Sequence, residues 1–259
     1  MMRKALRYSV AALALAGALS LAAGPVLSAA AHKPEARDWS FQGLFGTFDR
    51  GAQQRGLQVY KEICAACHSL RLVAYRNLEG IGLKEDQIKA IAAEFEVTDG
   101  PNDEGEMYTR PARPADRFAS PFPNDNAARA ANNGALPPDL SLMTKARKGG
   151  ADYLYGLLTG YKEEPPEGVE VMEGLNYNLY FPNNQIAMAP PLADDAVEYS
   201  DGTKATVHQL AEDVITFLAW AAEPELEERK RMGVKVILFL IVLTGMFYAL
   251  KRQVWKDQH

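Results

Sequence analysis

The chain has 259 residues, of which 47% are hydrophobic, and its 28 basic and 33 acidic side chains give a net charge of −5. This composition suits one globular domain with short additional segments and excludes an intrinsically disordered chain. Residues 32–222 carry 18 basic and 28 acidic side chains, a net charge of −10, which excludes a typical nucleic-acid-binding domain and favours a cationic partner. Acidic clusters lie at 99–106, 163–173 and 194–201, and each by itself is typical of a solvated loop.

Residues 1–31 have the pattern of a secretory signal peptide. Three basic residues begin the segment, an Ala-rich apolar run follows, and small residues up to Ala31 provide a cleavage site. A membrane helix is disfavoured because Pro25 interrupts the run before it reaches spanning length. We therefore expect the mature chain to be exported.

The two cysteines of the chain, Cys64 and Cys67, are followed directly by His68. An exported pair of cysteines would ordinarily suggest a disulfide, but this spacing is typical of c-type haem attachment. On a helical turn the two thiols and the imidazole share one side. The thiols can then bond the two haem vinyl groups while His68 ligates the iron, so the motif predicts one covalently bound haem c. A redox or metal-binding Cys-x-x-Cys motif is the alternative.

The spacing of apolar residues predicts a chain made mostly of helices and long loops. Helices are expected over 50–63, with Leu57 and Tyr60 facing inward, and over 84–97, 125–132, 140–148, 152–159 and 203–222. His208, the one other histidine that could compete for iron, is expected to cap the last helix or to face solvent. Segments 99–124 and 161–191 are rich in Pro, Gly, Asn and acidic residues, which indicates surface loops.

A methionine is the best candidate for the sixth iron ligand. Four of the eight methionines lie in the signal segment or in the C-terminal apolar run, so Met107, Met143, Met172 and Met188 remain. Methionine is most often a flexible core residue, but two prolines stiffen the chain just after Met188. We therefore predict Met188 as the ligand. A closed pair with His68 raises the haem potential relative to two imidazoles and favours electron transfer over peroxide chemistry.

Residues 232–250 form an apolar run with a single charge, Lys235. As a helix with a rise of about 1.5 Å per residue, the run would cover roughly 28 Å, close to the thickness of the hydrocarbon core. Basic residues flank both ends, so the orientation follows from the exported N-terminus. The predicted organisation is a signal peptide (1–31), a periplasmic haem domain (32–222), a linker (223–231), a transmembrane helix (232–250) and a cytoplasmic tail (251–259).

Five motifs carry a family resemblance: CAACHSL at 64–70, AANNGALPPDLS at 130–141, MAPP at 188–191, FLAWAAEP at 217–224 and RKRMG at 229–233. The first is common to c-type cytochromes, whereas the second and the last ones are more specific. Over nearly all of the mature chain the sequence resembles the cytochrome c1 family, the haem subunits of the cytochrome bc1 complex (ubiquinol:cytochrome c oxidoreductase).

The resemblance implies a mostly α fold, namely a class I cytochrome c-like haem domain with long loop insertions and one C-terminal transmembrane helix. It also implies Met188 as axial ligand and Arg147 on a haem propionate, although Arg147 could equally be a favourable charge at a helix C-terminus. The implied role is electron transfer within a proton-translocating oxidoreductase of the inner membrane, without substrate chemistry of its own. The implied partners are cytochrome b, a Rieske iron–sulfur protein as electron donor and a soluble basic cytochrome c as acceptor.

Two other functions remain open at the level of sequence. A membrane-anchored shuttle cytochrome would share the haem motif and the apolar C-terminal run, but it would not need the motif at 132–141, and co-purification with cytochrome b would decide. A haem sensor or peroxidase-like enzyme would need an open sixth position, which a low-spin spectrum without carbon monoxide binding would exclude.

Overall fold

The computed structural model describes residues 32–258. Its α-helices are α1 (Arg50–Glu62), α2 (Glu85–Ala93), α3 (Asp125–Ala131), α4 (Met143–Ala146), α5 (Gly150–Thr159), α6 (Val207–Ala222) and α7 (Leu226–Val254). Short 3-10 helices occupy Cys64–Ala66, Tyr75–Ile81 and Pro182–Asn184. Strands β1 (Glu96–Asp99) and β2 (Tyr108–Pro111) form one antiparallel pair, and β3 (Asn176–Tyr177) and β4 (Gln185–Ile186) form another.

Helix α1 leads directly into the cysteine motif. The helix begins where the Asp49 carboxylate accepts a hydrogen bond from the backbone N–H of Ala52 at 3.0 Å, a typical N-cap. Leu57 and Tyr60 face inward and are buried, as the sequence predicts. Packing of this inward face against α6 fixes the direction from which the chain enters the motif.

Helix α6 is the central helix of the domain. The Thr206 hydroxyl accepts a hydrogen bond from the backbone N–H of Gln209 at 3.2 Å, and the Asp194 carboxylate accepts one from Val207 at 2.7 Å. From residue 210 to residue 221 almost every side chain is buried, so the helix is covered on all sides by α1, α4 and α5. A helix that is apolar on all faces is stable only in such a position.

Helices α1 and α6 touch at the backbone. A Cβ atom at Gly56 would lie 2.0 Å from the Asp213 carbonyl oxygen, so only glycine fits there. One residue earlier, the Arg55 guanidinium forms two hydrogen bonds of 2.9 Å to the Asp213 carboxylate, which is fully buried. Because a buried carboxylate without its partner is strongly destabilising, this ion pair fixes the register of the two helices.

Aromatic rings join the α1–α6 pair to the rest of the core. The Tyr60 ring lies 5.7 Å from Phe118 and 5.9 Å from Phe217, centroid to centroid, and Tyr75 stacks on Phe118 at 4.4 Å. Rings at these distances and offsets contribute about 0.5–1.5 kcal/mol per pair beyond their burial. The segment after the motif is thereby held against the same core.

The predicted helices over 50–63, 125–132 and 152–159 are confirmed, and the others differ in extent. The helix expected over 84–97 ends at Ala93, because Val97 and Thr98 pair with Arg110 and Thr109 in a β-hairpin, which suits β-branched residues. The helix expected over 140–148 is reduced to α4, and the one over 203–222 begins at Val207. The segments expected to be loops contain β2 and the β3–β4 pair.

Helix α7 begins at Leu226, six residues before the predicted transmembrane run, so the predicted linker 223–231 is helical from that residue on. By length and composition α7 could cross a membrane, and the apolar window within it is unburied. Most side chains from Val236 to Leu250 are exposed. The span itself stays a prediction, and the predicted signal peptide lies outside the described residues.

Replacing Gly56 tests the α1–α6 contact. We expect Gly56→Ala to destabilise the domain by about 1–3 kcal/mol or more, because its Cβ overlaps a backbone carbonyl that cannot move without displacing α6. Gly51→Ala in the same helix is the control, since its Cβ would meet nothing closer than 3.3 Å, the Asp49 carboxylate. Urea unfolding in detergent measures the stability of both variants. Equal urea midpoints for the two variants would contradict this packing.

Candidate haem-binding site

The cysteine motif forms a single tight turn directly after α1. The backbone N–H groups of Cys67 and His68 both donate to the Cys64 carbonyl, at 3.1 and 2.9 Å. These bonds are those of a helical turn and bring positions i, i+3 and i+4 to one side. Cys64 and Cys67 are free thiols, both half-buried. Burial raises the pKa of the Cys64 thiol to about 12, so the group is neutral at physiological pH.

His68 is held by one ring nitrogen. Its Nδ1 lies 2.8 Å from the Pro138 carbonyl oxygen. A carbonyl can only accept, so Nδ1 carries the proton and Nε2 keeps its lone pair. Burial lowers the pKa of His68, which favours the neutral ring. A neutral imidazole whose second nitrogen is fixed by a backbone carbonyl is the usual form of a histidine metal ligand.

Asp139 ties the two segments of the site together. Its carboxylate accepts hydrogen bonds from the Ser69 hydroxyl at 2.8 Å, the Arg71 backbone N–H at 2.8 Å and the Ser141 backbone N–H at 3.0 Å. Burial alone would raise the pKa of Asp139, but these donors outweigh burial and lower it. The backbone N–H of Leu140 also donates to the Ser69 carbonyl at 2.9 Å. The loop at 138–141, which holds His68 through Pro138, is therefore attached to the residues that follow the motif.

The core helix α1 supports the same turn from below. The Tyr60 hydroxyl donates to the His68 carbonyl at 3.1 Å, and its ring is fully buried. Burial, with the nearby Cys64 sulfur, raises the pKa of Tyr60, so the hydroxyl remains a donor. Two contacts thus hold His68 itself, from Tyr60 to its carbonyl and from Pro138 to its ring, and Asp139 fastens the Pro138 loop to the residues that follow the histidine.

Met188 lies on a separate irregular segment, here called the methionine strap, that follows β4. The side chain is half-buried, and its backbone carbonyl accepts hydrogen bonds from the Tyr161 hydroxyl at 3.0 Å and from Asn176 Nδ2 at 3.4 Å. Burial raises the pKa of Tyr161, which keeps this donor protonated. The strap is thus held at Met188 itself, in addition to the stiffening by the prolines that follow.

The other methionine candidates differ from Met188 in their surroundings. Met143 is buried in the core, whereas Met107 and Met172 are 61% and 66% exposed. His208 faces solvent, as predicted, and its Nδ1 lies 2.7 Å from the Tyr155 hydroxyl. Met188 differs from the other three methionines because it is half-buried and its backbone carbonyl is held by hydrogen bonds.

Arg147 is exposed at the end of α4. Its guanidinium donates to the Ala146 carbonyl at 3.2 Å, which matches the alternative interpretation as a charge at a helix C-terminus. The guanidinium also lies near Tyr153, whose pKa is raised by burial and lowered in part by this positive charge. A role for Arg147 toward a propionate stays a prediction.

The donor set fits a c-type haem. Two free thiols and a neutral imidazole share one turn, the imidazole nitrogen that faces away from Pro138 has its lone pair free, and a half-buried thioether sits on a fixed strap. These are the groups that covalent attachment and His/Met ligation require.

Comparison with known proteins gives the family. A sequence model described as the cytochrome C1 family matches residues 39–258. The chain belongs to the cytochrome c1 family. It is 49% identical to "Cytochrome c1" of Rhodospirillum rubrum, over 98% of this chain and 97% of that protein. It is 52% identical to "Cytochrome c1, heme protein, mitochondrial" of Schizosaccharomyces pombe, over 90% of this chain and 77% of that protein.

A third relative is longer. The chain is 49% identical to "Cytochrome b/c1" of Bradyrhizobium diazoefficiens over 99% of its own length, but it spans only 41% of that protein. Cytochrome c1 is the haem subunit of the bc1 complex. The family match confirms the resemblance predicted from sequence, and the helices of the structure confirm the mostly α fold class.

Several residues of the site were not predicted from sequence. Pro138, Asp139, Ser69 and Ser141 lie inside the quoted motifs, but their roles follow only from the structure. The Pro138 carbonyl could not have been recognised, since every residue carries such an acceptor. Tyr161 lies in a segment expected to be a loop, and no periodicity marks it.

Changing Asp139 tests its role in holding the histidine loop. We expect Asp139→Asn to lower the free energy of unfolding by about 1.5–3 kcal/mol at neutral pH. The amide loses the charge-assisted hydrogen bonds, and its NH₂ group faces N–H and O–H groups that need an acceptor. The folded-state pKa of Asp139 is below its ordinary value of 3.8. Its contribution is therefore complete above pH 3.8 and is lost as the pH falls through the lowered pKa.

The difference between wild type and Asp139→Asn should accordingly shrink in acid. Urea unfolding of the haem-loaded protein at several pH values measures it. Asp103→Asn removes the same charge from an exposed loop and should change stability little at any pH. Equal losses in the two variants would show that Asp139 does not hold the site.

Proposed function

We propose that this chain is the membrane-anchored c-type cytochrome of a proton-translocating ubiquinol:cytochrome c oxidoreductase. It carries one haem c bound through Cys64 and Cys67, with His68 and Met188 as axial ligands. It accepts electrons from a Rieske iron–sulfur protein and passes them to a soluble basic cytochrome c. The haem domain lies on the periplasmic side of the inner membrane, after removal of residues 1–31.

The observation that carries this proposal is the fixed histidine beside two free thiols. The Pro138 carbonyl holds Nδ1 of His68 at 2.8 Å and leaves Nε2 for iron. A haem bound there supplies one-electron transfer between the ferrous and ferric states. The residues of the chain hold the histidine and the methionine strap in fixed positions. The structural change of the protein that would accompany electron transfer is therefore small. If His68 and Met188 both ligated the iron, oxygen and peroxide would have no open site.

Membership of the family supports the place within the complex. The long relative from Bradyrhizobium carries both cytochrome names in one protein, which supports a cytochrome b as the neighbour of this chain. Helix α7 has the length and composition for one membrane crossing. The proposed boundaries are a haem domain at 32–222, a connecting segment at 223–231, the span at 232–250 and a cytoplasmic tail at 251–259.

The position of one acidic cluster supports a cationic electron acceptor. Glu163, Glu167 and Glu173 are exposed on the loop that precedes β3. This loop is attached to β4 through Gln185, whose side chain donates to the Glu170 carbonyl at 3.2 Å and accepts from the Met172 N–H at 3.0 Å. Gln185 lies three residues before Met188, so the cluster adjoins the methionine strap.

The second acidic cluster is partly neutralised. Asp99 pairs with Arg110 on the β1–β2 hairpin, and Asp116 pairs with the same guanidinium. The loop at 163–173 is therefore the better docking surface for a basic partner, and a net charge of −10 over 32–222 would steer that partner toward it.

Replacing Met188 tests the proposed function. We expect Met188→Leu to retain haem through denaturation, because the thioether bonds to the cysteines do not depend on the sixth ligand. Its midpoint potential should fall by a part of the roughly 0.8 V range that axial ligands span. Quinol-dependent reduction of cytochrome c by membranes should be lost. Met172→Leu, at an exposed methionine, should change neither property; an unchanged potential in Met188→Leu would mean that another residue ligates the iron.

Salt dependence tests the acceptor surface. The Debye length falls from about 8 Å at 0.15 M to about 3 Å at 1 M, so electron transfer to a basic cytochrome c should slow steeply with salt, and reduction by a small neutral donor should not. The double variant Glu167→Gln, Glu173→Gln should reduce the salt slope in stopped-flow measurements. The control Asp103→Asn, Glu104→Gln removes the same charge from the hairpin loop and should reduce it less. A flat wild-type rate would contradict electrostatic steering.

A further inference from the structure

The loop at 40–47 has a defined shape. Its ends are joined by a hydrogen bond of 2.9 Å from the Thr47 N–H to the Ser40 carbonyl. A Cβ atom at Gly46 would lie 1.8 Å from the Gln42 carbonyl oxygen, so only glycine allows the turn. The loop is therefore built to present its tip in one way.

The 40–47 loop is fastened to the first turns of α7. Lys230 Nζ donates to the Phe41 carbonyl at 2.7 Å and to the Gly46 carbonyl at 3.0 Å. The Glu227 carboxylate accepts from the Phe48 N–H at 2.9 Å and pairs with Arg50 at 3.0 Å. The loop thus sits where α7 leaves the haem domain, immediately before the apolar run begins.

The tip of the loop is apolar and exposed. Leu44 is 59% exposed. Phe45 is 79% exposed, the highest value for a large hydrophobic side chain among residues 32–258. A groove between the tip and α7 is lined by both side chains and by Val234. Its charged residues are Glu227, Lys230, Arg231 and Lys235, three cations against one acid. Burial of each of these side chains would contribute about 1.5–3 kcal/mol of stabilisation, which is absent while they remain in water.

We propose that the 40–47 loop is a second membrane contact, which inserts Leu44 and Phe45 into the outer leaflet beside α7. This inference rests on the proposed span by α7. Two observations select a lipid surface. The tip is continuous with the unburied apolar surface of α7, and Arg231 and Lys235 beside it complement the phosphates of anionic lipids.

The cations are notable because residues 32–222 are strongly acidic and would otherwise be repelled by anionic lipid. Aromatic residues also favour the interface between headgroups and acyl chains. Two membrane contacts, the helix and the loop, would fix the orientation of the haem domain relative to the membrane plane. A single helix would allow the domain to tilt.

Site-directed spin labelling of the full-length, haem-loaded chain tests the contact. A nitroxide is placed on Phe45→Cys, since thiols consumed by haem attachment do not react. Phe239→Cys, in the middle of α7, is the lipid control, and Met172→Cys, on the acidic loop, is the water control. Collision rates with oxygen and with a water-soluble nickel chelate are measured in nanodiscs and in membranes that contain cytochrome b.

We expect the label at Phe45 to behave like that at Phe239, with a severalfold excess of oxygen over nickel collisions, and the label at Met172 to show the reverse. Nanodiscs with phosphatidylglycerol should place the Phe45 label deeper than phosphatidylcholine alone, and Arg231→Gln should reduce that difference. Equal depths in the two lipids would overturn the role of the cations.

The other outcomes separate this inference from the proposed function. A lipid-exposed label at Phe239 with a water-exposed label at Phe45 would overturn the loop contact and leave the anchor standing. A water-exposed label at Phe239 would overturn the anchor itself. A Phe45 label shielded from both probes when cytochrome b is present would show that protein covers the tip, which overturns insertion into lipid.

Discussion

A histidine that ligates iron must be held by one nitrogen while the other stays free, and in this chain the Pro138 carbonyl meets that requirement at 2.8 Å from Nδ1 of His68. The acceptor lies 70 residues away in sequence, so the contact exists only if the 138–141 loop is held against the motif. Asp139 holds it through three donors around one carboxylate, and Tyr60 fixes the motif from the core side. The candidate haem site is therefore assembled by long-range contacts around a local turn.

Those contacts depend in turn on the α1–α6 pair. Gly56 lets the two backbones touch, and the Arg55–Asp213 ion pair sets their register. Tyr60, one helical turn after Gly56, places its ring 5.9 Å from Phe217 of α6 and donates to the His68 carbonyl. Beyond α6 the chain continues through a short connection into α7, so the packing around the motif also sets where this apolar helix leaves the domain.

The parts of this arrangement that follow from local chemistry could be predicted from sequence. The Cys64-x-x-Cys67-His68 turn, the inward face of α1 and the length of the apolar run each depend on spacing within a few residues. The proline-stiffened strap singled out Met188 over three other methionines, and the structure adds a fixed carbonyl at that residue. The shortened helix before β1 could not be predicted in the same way, because the pairing of Val97 and Thr98 with β2 overrides their helical spacing. Backbone acceptors such as Pro138 leave no mark in the sequence at all.

We propose one haem bound by both cysteines of the motif, in a chain that works beside cytochrome b. The most direct measurement is purification in mild detergent through a C-terminal tag, followed by mass spectrometry of the peptide that spans Cys64 to His68 and identification of the co-purifying subunits. We expect a peptide that carries one haem, thiols that do not react with alkylating reagents, a low-spin spectrum and a cytochrome b in stoichiometric amount. An unmodified peptide with two reactive thiols would contradict it.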